Sequence, residues 1–182
     1  MSLSLIIGPM FSGKSTELIR KIRLAKTINK KVLVVKPLLD KRYIENKIVS
    51  HSFESEICET VEKLEEIDTL IENYDLIVID EGQFFPDLKV YTLKWVENNN
   101  KEVIIGGLDG DFLRKPIGQI LELIPYADHC KKINSLCKVC NDGKAGIYTY
   151  RIDKNSENQI EIGGIESYMP LCRKHYLELT KN

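Results

Sequence analysis

The segment Gly8-Pro9-Met10-Phe11-Ser12-Gly13-Lys14-Ser15 has the form G-x-x-x-x-G-K-[ST]. It constrains the fold because such a loop works only between a strand and a helix. Its glycines let the backbone turn tightly and aim N–H groups at phosphate oxygens. The helix that follows adds the positive end of its dipole. Both flanks are present. Leu3-Ser4-Leu5-Ile6-Ile7 reads as a buried strand, and Ser15 to about Asn29 carries Leu18, Ile19, Ile22 and Ala25 on one helical face. The segment therefore reads as a P-loop for a nucleoside triphosphate. Lys14 is expected to reach the β/γ-phosphates, and Ser15 to offer a hydroxyl to Mg²⁺.

More strands follow in the same style. Lys31–Pro37, Asp75–Asp80 and Val103–Gly107 are apolar runs. Val61–Asn73 reads as a helix with Val61, Leu64, Ile67, Leu70 and Ile71 on one side, and Leu88–Asn98 as another. Continuous Val/Ile/Leu strands alternating with amphipathic helices imply an α/β fold with a parallel sheet covered on both faces. The pattern stops near Ile133. Cysteine pairs, glycines and short alternating stretches (Gly146–Ile152, Gln159–Ile162) follow. The expected organisation is an α/β domain over 1–133 of the P-loop NTPase type, helices flanking its parallel sheet. A small zinc-binding, β-rich lobe spans 134–182.

Asp80 closes the Leu76–Ile79 run, at the sheet edge where ligands bind in such folds. It is expected to hold the Mg²⁺ shell, and Glu81 beside it to accept a proton from an attacking hydroxyl. Cys137-x-x-Cys140 and Cys172-x-x-His175, with 31 residues between them, supply the donors of a tetrahedral structural Zn²⁺ site. Cys58 and Cys130 stand outside that set as ordinary thiols. The 182 residues carry a net charge of −1, which excludes a global basic field for nucleic acid. No apolar run approaches the ~20 residues of a membrane span, and no secretory leader is visible. A cytoplasmic protein with reduced cysteines is expected.

Taken in order, the motifs Gly-Pro-Met-Phe-Ser-Gly-Lys-Ser-Thr, Asp80-Glu81-Gly82-Gln83-Phe84-Phe85, Gly107-Leu-Asp-Gly-Asp-Phe-Leu-Arg-Lys-Pro116, Cys-x-x-Cys, Ile162-Gly163-Gly164-x-x-x-Tyr168 and the closing knuckle resemble the type II thymidine kinase family, from Leu3 to about Tyr176. The resemblance implies ATP-dependent phosphorylation of the thymidine 5′-hydroxyl, with Mg²⁺ and structural zinc. It makes Glu81 the catalytic base. Gly8 to Ser15, Asp40 and Arg42 of Asp40-Lys41-Arg42-Tyr43, Asp80 and Gln83 form the nucleotide site. Phe112 lines the thymine pocket, closed by Met10, Phe84 and Leu108. A lasso from the zinc lobe, Ile160, Glu161, Ile162, Gly163 and Gly164, reads the base edge through its backbone, and Tyr168 packs on the nucleoside. Deoxythymidine or deoxyuridine as acceptor, dTTP as feedback inhibitor and a homotetramer are also implied, with neither nucleic acid nor membrane as partner.

The sequence departs from the family at Asp111, where Thr is usual, at Ile117, where an aromatic is frequent, and at His175, where Cys is common. The first two leave analogue selectivity open. Plainer roles stand beside several assignments: lobe packing for Tyr168, core for Phe84 and Phe85, a solvated pair for Arg114-Lys115, a surface loop for His51, and a solvated face for Glu54–Glu66. The competing functions are a zinc-ribbon P-loop ATPase acting on nucleic acid and a silent nucleotide binder.

Overall fold

The computed structural model describes residues 1–40, 47–49, 55–153, 159 and 163–181. The chain runs β1 (Ser2–Gly8), α1 (Lys14–Thr27), β2 (Val32–Pro37), β3 (Lys47–Val49), β4 (Ser55–Ile57), β5 (Glu59–Val61), β6 (Leu76–Ile79), α2 (Leu88–Leu93), β7 (Glu102–Leu108) and β8 (His129–Lys132). Six of these strands form one sheet in the order β5-β2-β6-β7-β1-β8, every neighbouring pair parallel. The remaining two, β3 and β4, pair with each other antiparallel.

The strand composition explains the layering. Successive side chains alternate between faces, and both faces are apolar. Leu5, Ile7, Val35, Ile77, Ile79 and Ile105 share one core with Phe85, Leu88 and Trp95. Ile6, Val34, Val78 and Ile104 share the other with Leu18, Ile19 and Ile22 of α1. The expected parallel sheet, covered on both sides, is therefore present. All six strands run the same way, so the turns after β1, β2, β6 and β7 leave the same edge.

Two segments differ from their sequence reading. Val61–Asn73 is not an α-helix. Val61 ends β5, and two short 3₁₀ turns follow at Leu64–Ile67 and Ile71–Asn73. The apolar residues Val61, Leu64 and Ile67 recur every third position, which is the 3₁₀ period rather than 3.6. Leu70, expected on the buried side, is exposed. The first turn is capped from a distance: the Asp87 carboxylate accepts from the amides of Leu64 (3.2 Å) and Glu65 (3.0 Å). The second difference is β8, a sixth strand in a stretch of exposed polar residues without apolar patterning. Its position follows from backbone and Asp128: Asp128 Oδ2 accepts from Leu3 N (2.7 Å), and Ile133 N donates to Ile7 O (2.8 Å).

The C-terminal part holds β9 (Ser135–Leu136) paired with β10 (Ala145–Gly146), β11 (Tyr148–Arg151) paired with β12 (Tyr168–Leu171), both antiparallel, and α3 (Arg173–Thr180). Cys137, Tyr150, Leu171, Cys172 and Tyr176 make its own small core.

Asp87→Ala tests this long-range cap. Losing the two capped amides should cost about 1–2 kcal/mol, lowering the melting temperature by roughly 3–7 °C. A calorimetric scan that leaves the midpoint unmoved would remove Asp87 as the cap of this turn.

Candidate functional site

The P-loop leaves the end of β1 in close contact with the C-terminal part. A Cβ at Gly8 would lie 2.1 Å from the Ile133 carbonyl oxygen, so only glycine fits. Met10 N donates to Thr149 Oγ1 of β11 at 3.0 Å. Ser12 Oγ and Lys14 Nζ both donate to Pro9 O, each at 2.8 Å. Lys14 is buried and folded across its own loop. Met10 is buried, whereas Phe11, Ser12 and Gly13 are half-buried.

Asp80 follows β6 at the same edge. Its Oδ2 accepts from Ser15 Oγ at 2.8 Å, and its Oδ1 from Glu81 N at 3.0 Å. Burial foremost, then the negative charge of Glu81, push the Asp80 carboxyl up to about 7, and Asp40 adds to the effect. Asp80 and Glu81 are thus buried side by side, with the Ser15 hydroxyl on the Asp80 carboxylate. A buried excess of negative oxygen donors is the chemistry of a hard divalent cation site and fits Mg²⁺.

Glu81 has left-handed backbone angles (φ 51°, ψ 42°), an unusual state for glutamate. Gln83 braces it. Gln83 Nε2 donates to Glu81 Oε2 at 2.6 Å, while Gln83 Oε1 accepts from Leu108 N at 3.0 Å. The partners fix the amide orientation, since a carboxylate needs a donor and an N–H an acceptor. Gly118 (φ +58°) passes so near that a Cβ would lie 2.0 Å from Gln83 O. The sequence pattern marks Gln83 only as part of a nucleotide motif. Lys36 is a buried polar group that it did not flag; it lies near the end of β2, where its charge reaches Cys58.

Among the expected nucleoside contacts, Leu108, Phe84 and Phe112 are half-buried, and Phe85 belongs to the main core. The Arg151 guanidinium lies 3.7 Å from the Phe112 ring centroid. Tyr168 is buried opposite Arg151 in the β11–β12 register. Its amide and that of Ser167 donate to Gly164 O (3.0 and 3.1 Å), and Gly164 N donates to Glu166 Oε1 (2.6 Å). Gly163 and Gly164 are half-buried. Arg42, His51, Ile160, Glu161 and Ile162 lie outside the described residues. Arg114 is no merely solvated residue: its guanidinium lies over the rings of Tyr148 (5.4 Å) and Tyr176 (4.8 Å).

Cys137, Cys140, Cys172 and His175 meet in one cluster, their ligand atoms all within 4.8 Å of one another. His175 Nδ1 lies 3.5, 3.3 and 3.5 Å from the sulfurs of Cys137, Cys140 and Cys172, and Cys140 and Cys172 sulfurs are 3.7 Å apart. Tetrahedral zinc, with Zn–S about 2.3 Å and Zn–N about 2.0 Å, spaces its donors by roughly 3.5–3.8 Å. The cluster has the dimensions of such a site. His175 Nε2 lies 4.0 Å from Glu178 Oε2.

Comparison with known proteins agrees with this arrangement. The family model described as thymidine kinase matches residues 1–176. The chain belongs to the thymidine kinase family. It is 42% identical over 174 residues to a thymidine kinase of Rabbit fibroma virus (strain Kasza), covering 96% of this chain and 95% of that one. It is 38% identical to thymidine kinase a of Arabidopsis thaliana over 182 residues, covering 97% and 75% of the two chains. A thymidine kinase of Yaba monkey tumor virus (strain VR587) is 42% identical over 178 residues, covering 98% and 96%. A thymidine kinase needs a triphosphate grip, an acidic metal edge and a nucleoside pocket together. The sheet edge of this thymidine kinase gathers the first two, and the loop carrying Phe112 lies beside them. At the surface, Lys131 pairs with Glu17 (3.1 Å) and Lys132 with Asp109 (2.6 Å). Among the described residues, no helix is long and apolar enough to cross a membrane.

The donor geometry predicts one zinc per chain by elemental analysis. Cys140→Ser should weaken zinc retention against a chelator by about 10²-fold and lower the melting temperature. Equal retention by wild type and variant would remove Cys140 from the donor set.

Proposed function

We propose that this thymidine kinase transfers the γ-phosphoryl group of MgATP in line to the 5′-hydroxyl of deoxythymidine, with Glu81 as the base. The observation that carries this reading is the Ser15–Asp80 hydrogen bond of 2.8 Å next to a carboxylate, Glu81, that Gln83 holds in place. A Mg²⁺ at Ser15 and Asp80 would neutralise phosphate charge. Lys14 and the amides of the Ser12–Ser15 part of the loop bind the β- and γ-phosphates, with Asp40 and Arg42 assigned to the same nucleotide site; Pro9 has no N–H, and that of Met10 is taken by Thr149. Glu81 orients the 5′-hydroxyl and takes its proton as the P–O bond forms. In a loose transition state this positioning counts for more than early deprotonation. Gln83 acts on the reaction through Glu81.

The acceptor pocket in this reading consists of Met10, Phe84, Leu108, Phe112 and Tyr168, with Ile160–Gly164 over the base. Aromatic walls supply contact area, and backbone groups of the lasso discriminate the pyrimidine edge. Zinc at Cys137, Cys140, Cys172 and His175 serves structure, since four protein donors leave no open position. The division at residue 133, deoxyuridine as a second acceptor, feedback by dTTP, a homotetramer and a cytoplasmic location complete the proposal. They follow from family membership and from the composition shift at Ile133.

Glu81→Gln should lower kcat by about 10²-fold or more with ATP affinity nearly unchanged. Near-normal turnover would remove Glu81 as base. Gln83→Leu should lower kcat by roughly tenfold through a misplaced Glu81. Across a panel of nucleosides given γ-labelled ATP, label should pass to thymidine. Failure of thymidine and deoxyuridine together would overturn the acceptor assignment.

A further inference from the structure

The loop after β7 places Phe112 in a turn with little regular structure. Asp111 organises one side of that turn. Its Oδ1 accepts from the amides of Leu113 and Lys115, both at 2.8 Å, and its Oδ2 accepts from Gln159 Nε2 at 2.8 Å. The next carbonyl, that of Phe112 itself, turns toward the zinc lobe and accepts from the Tyr176 hydroxyl at 2.7 Å.

Tyr176 has little freedom to place that hydroxyl elsewhere. It is buried, with its ring centroid 5.1 Å from Tyr148 and 6.4 Å from Tyr150. Arg114 covers it at 4.8 Å. Its backbone is fixed too. Tyr176 N donates to Cys172 O at 2.9 Å, within the first turn of α3, and the preceding residue is His175. The zinc-donor pair of α3 and the Phe112 backbone are thus one side chain apart. Arg151, from β11 of the same lobe, lies against the Phe112 ring. The lobe holds Phe112 by its carbonyl and by its face.

We propose that Tyr176 is a positioning residue for the nucleoside acceptor, its hydroxyl setting the place of Phe112 from the zinc lobe. This rests on the reading of Phe112 as a wall of the acceptor pocket. A hydrogen bond confined to the acceptor side should affect thymidine binding and leave the ATP grip alone, because the P-loop connects to the lobe through Met10 and Thr149 instead.

Tyr176→Phe removes the hydroxyl and keeps the ring in its aromatic packing. Thymidine KM should rise about fivefold to tenfold, the worth of one such bond. ATP KM, saturated kcat and zinc stoichiometry should stay within twofold of wild type. An unchanged thymidine KM overturns the inference. So does a parallel rise in ATP KM, or a loss of zinc, since either would make the hydroxyl a general support of the lobe. Phe112→Ala separates this from the underlying reading. If it raises thymidine KM while Tyr176→Phe does not, the pocket wall stands and the positioning role falls. If Phe112→Ala leaves thymidine KM unchanged, the pocket reading falls and the inference with it.

Discussion

The Asp80 carboxylate is the joint on which the functional edge depends. One oxygen receives the Ser15 hydroxyl from the start of α1, the other receives the amide of Glu81, and the Asp80 amide itself donates to Val35 O of β2 at 2.9 Å. Two strands, a helix and the carboxylate proposed as base are tied through one residue. The arrangement is costly while no cation is near. Burial and the neighbouring carboxylates disfavour its charge, which is why its carboxyl stands near 7. A divalent ion beside it would turn that cost into attraction.

Around that joint, much of the sheet was legible because its strands are uninterrupted Val/Ile/Leu runs, a pattern with few other uses in a chain of ordinary composition. The strand β8 was not legible. Its residues are polar and exposed, and their position is set by Asp128 and Ile133 bonding to the backbone of β1, contacts that no local periodicity encodes. Val61–Asn73 misled for another reason. Apolar residues at every third position resemble a helical face over two turns, and the capping carboxylate that favours the 3₁₀ form comes from Asp87, some twenty residues on.

The same division runs through the site. Gly8–Ser15, Asp80-Glu81 and the two cysteine knuckles are short motifs whose chemistry sits in adjacent residues, so sequence alone points to them. Gln83 as brace, Thr149 on the P-loop, Arg151 over Phe112 and Tyr176 on its carbonyl are pairings between distant elements. They carry no spacing signature. Each is a single donor or ring whose meaning appears only once the fold supplies its partner.

The departures at Asp111 and Ile117 take on a different sense in this light. Both Asp111 oxygens are engaged by the protein, one by the turn it closes and one by Gln159, and Ile117 is buried. Neither presents a free polar group to a base. A change at Asp111 therefore alters the turn of the loop carrying Phe112. Asp111 ties that loop to Gln159, as Tyr176 ties it to α3. An aspartate that accepts three donors anchors the turn more firmly than a hydroxyl could, since a hydroxyl offers fewer and weaker acceptor sites. Two hydrogen bonds from distant parts of the chain, to Asp111 and to the Phe112 carbonyl, thus hold the loop that carries this ring.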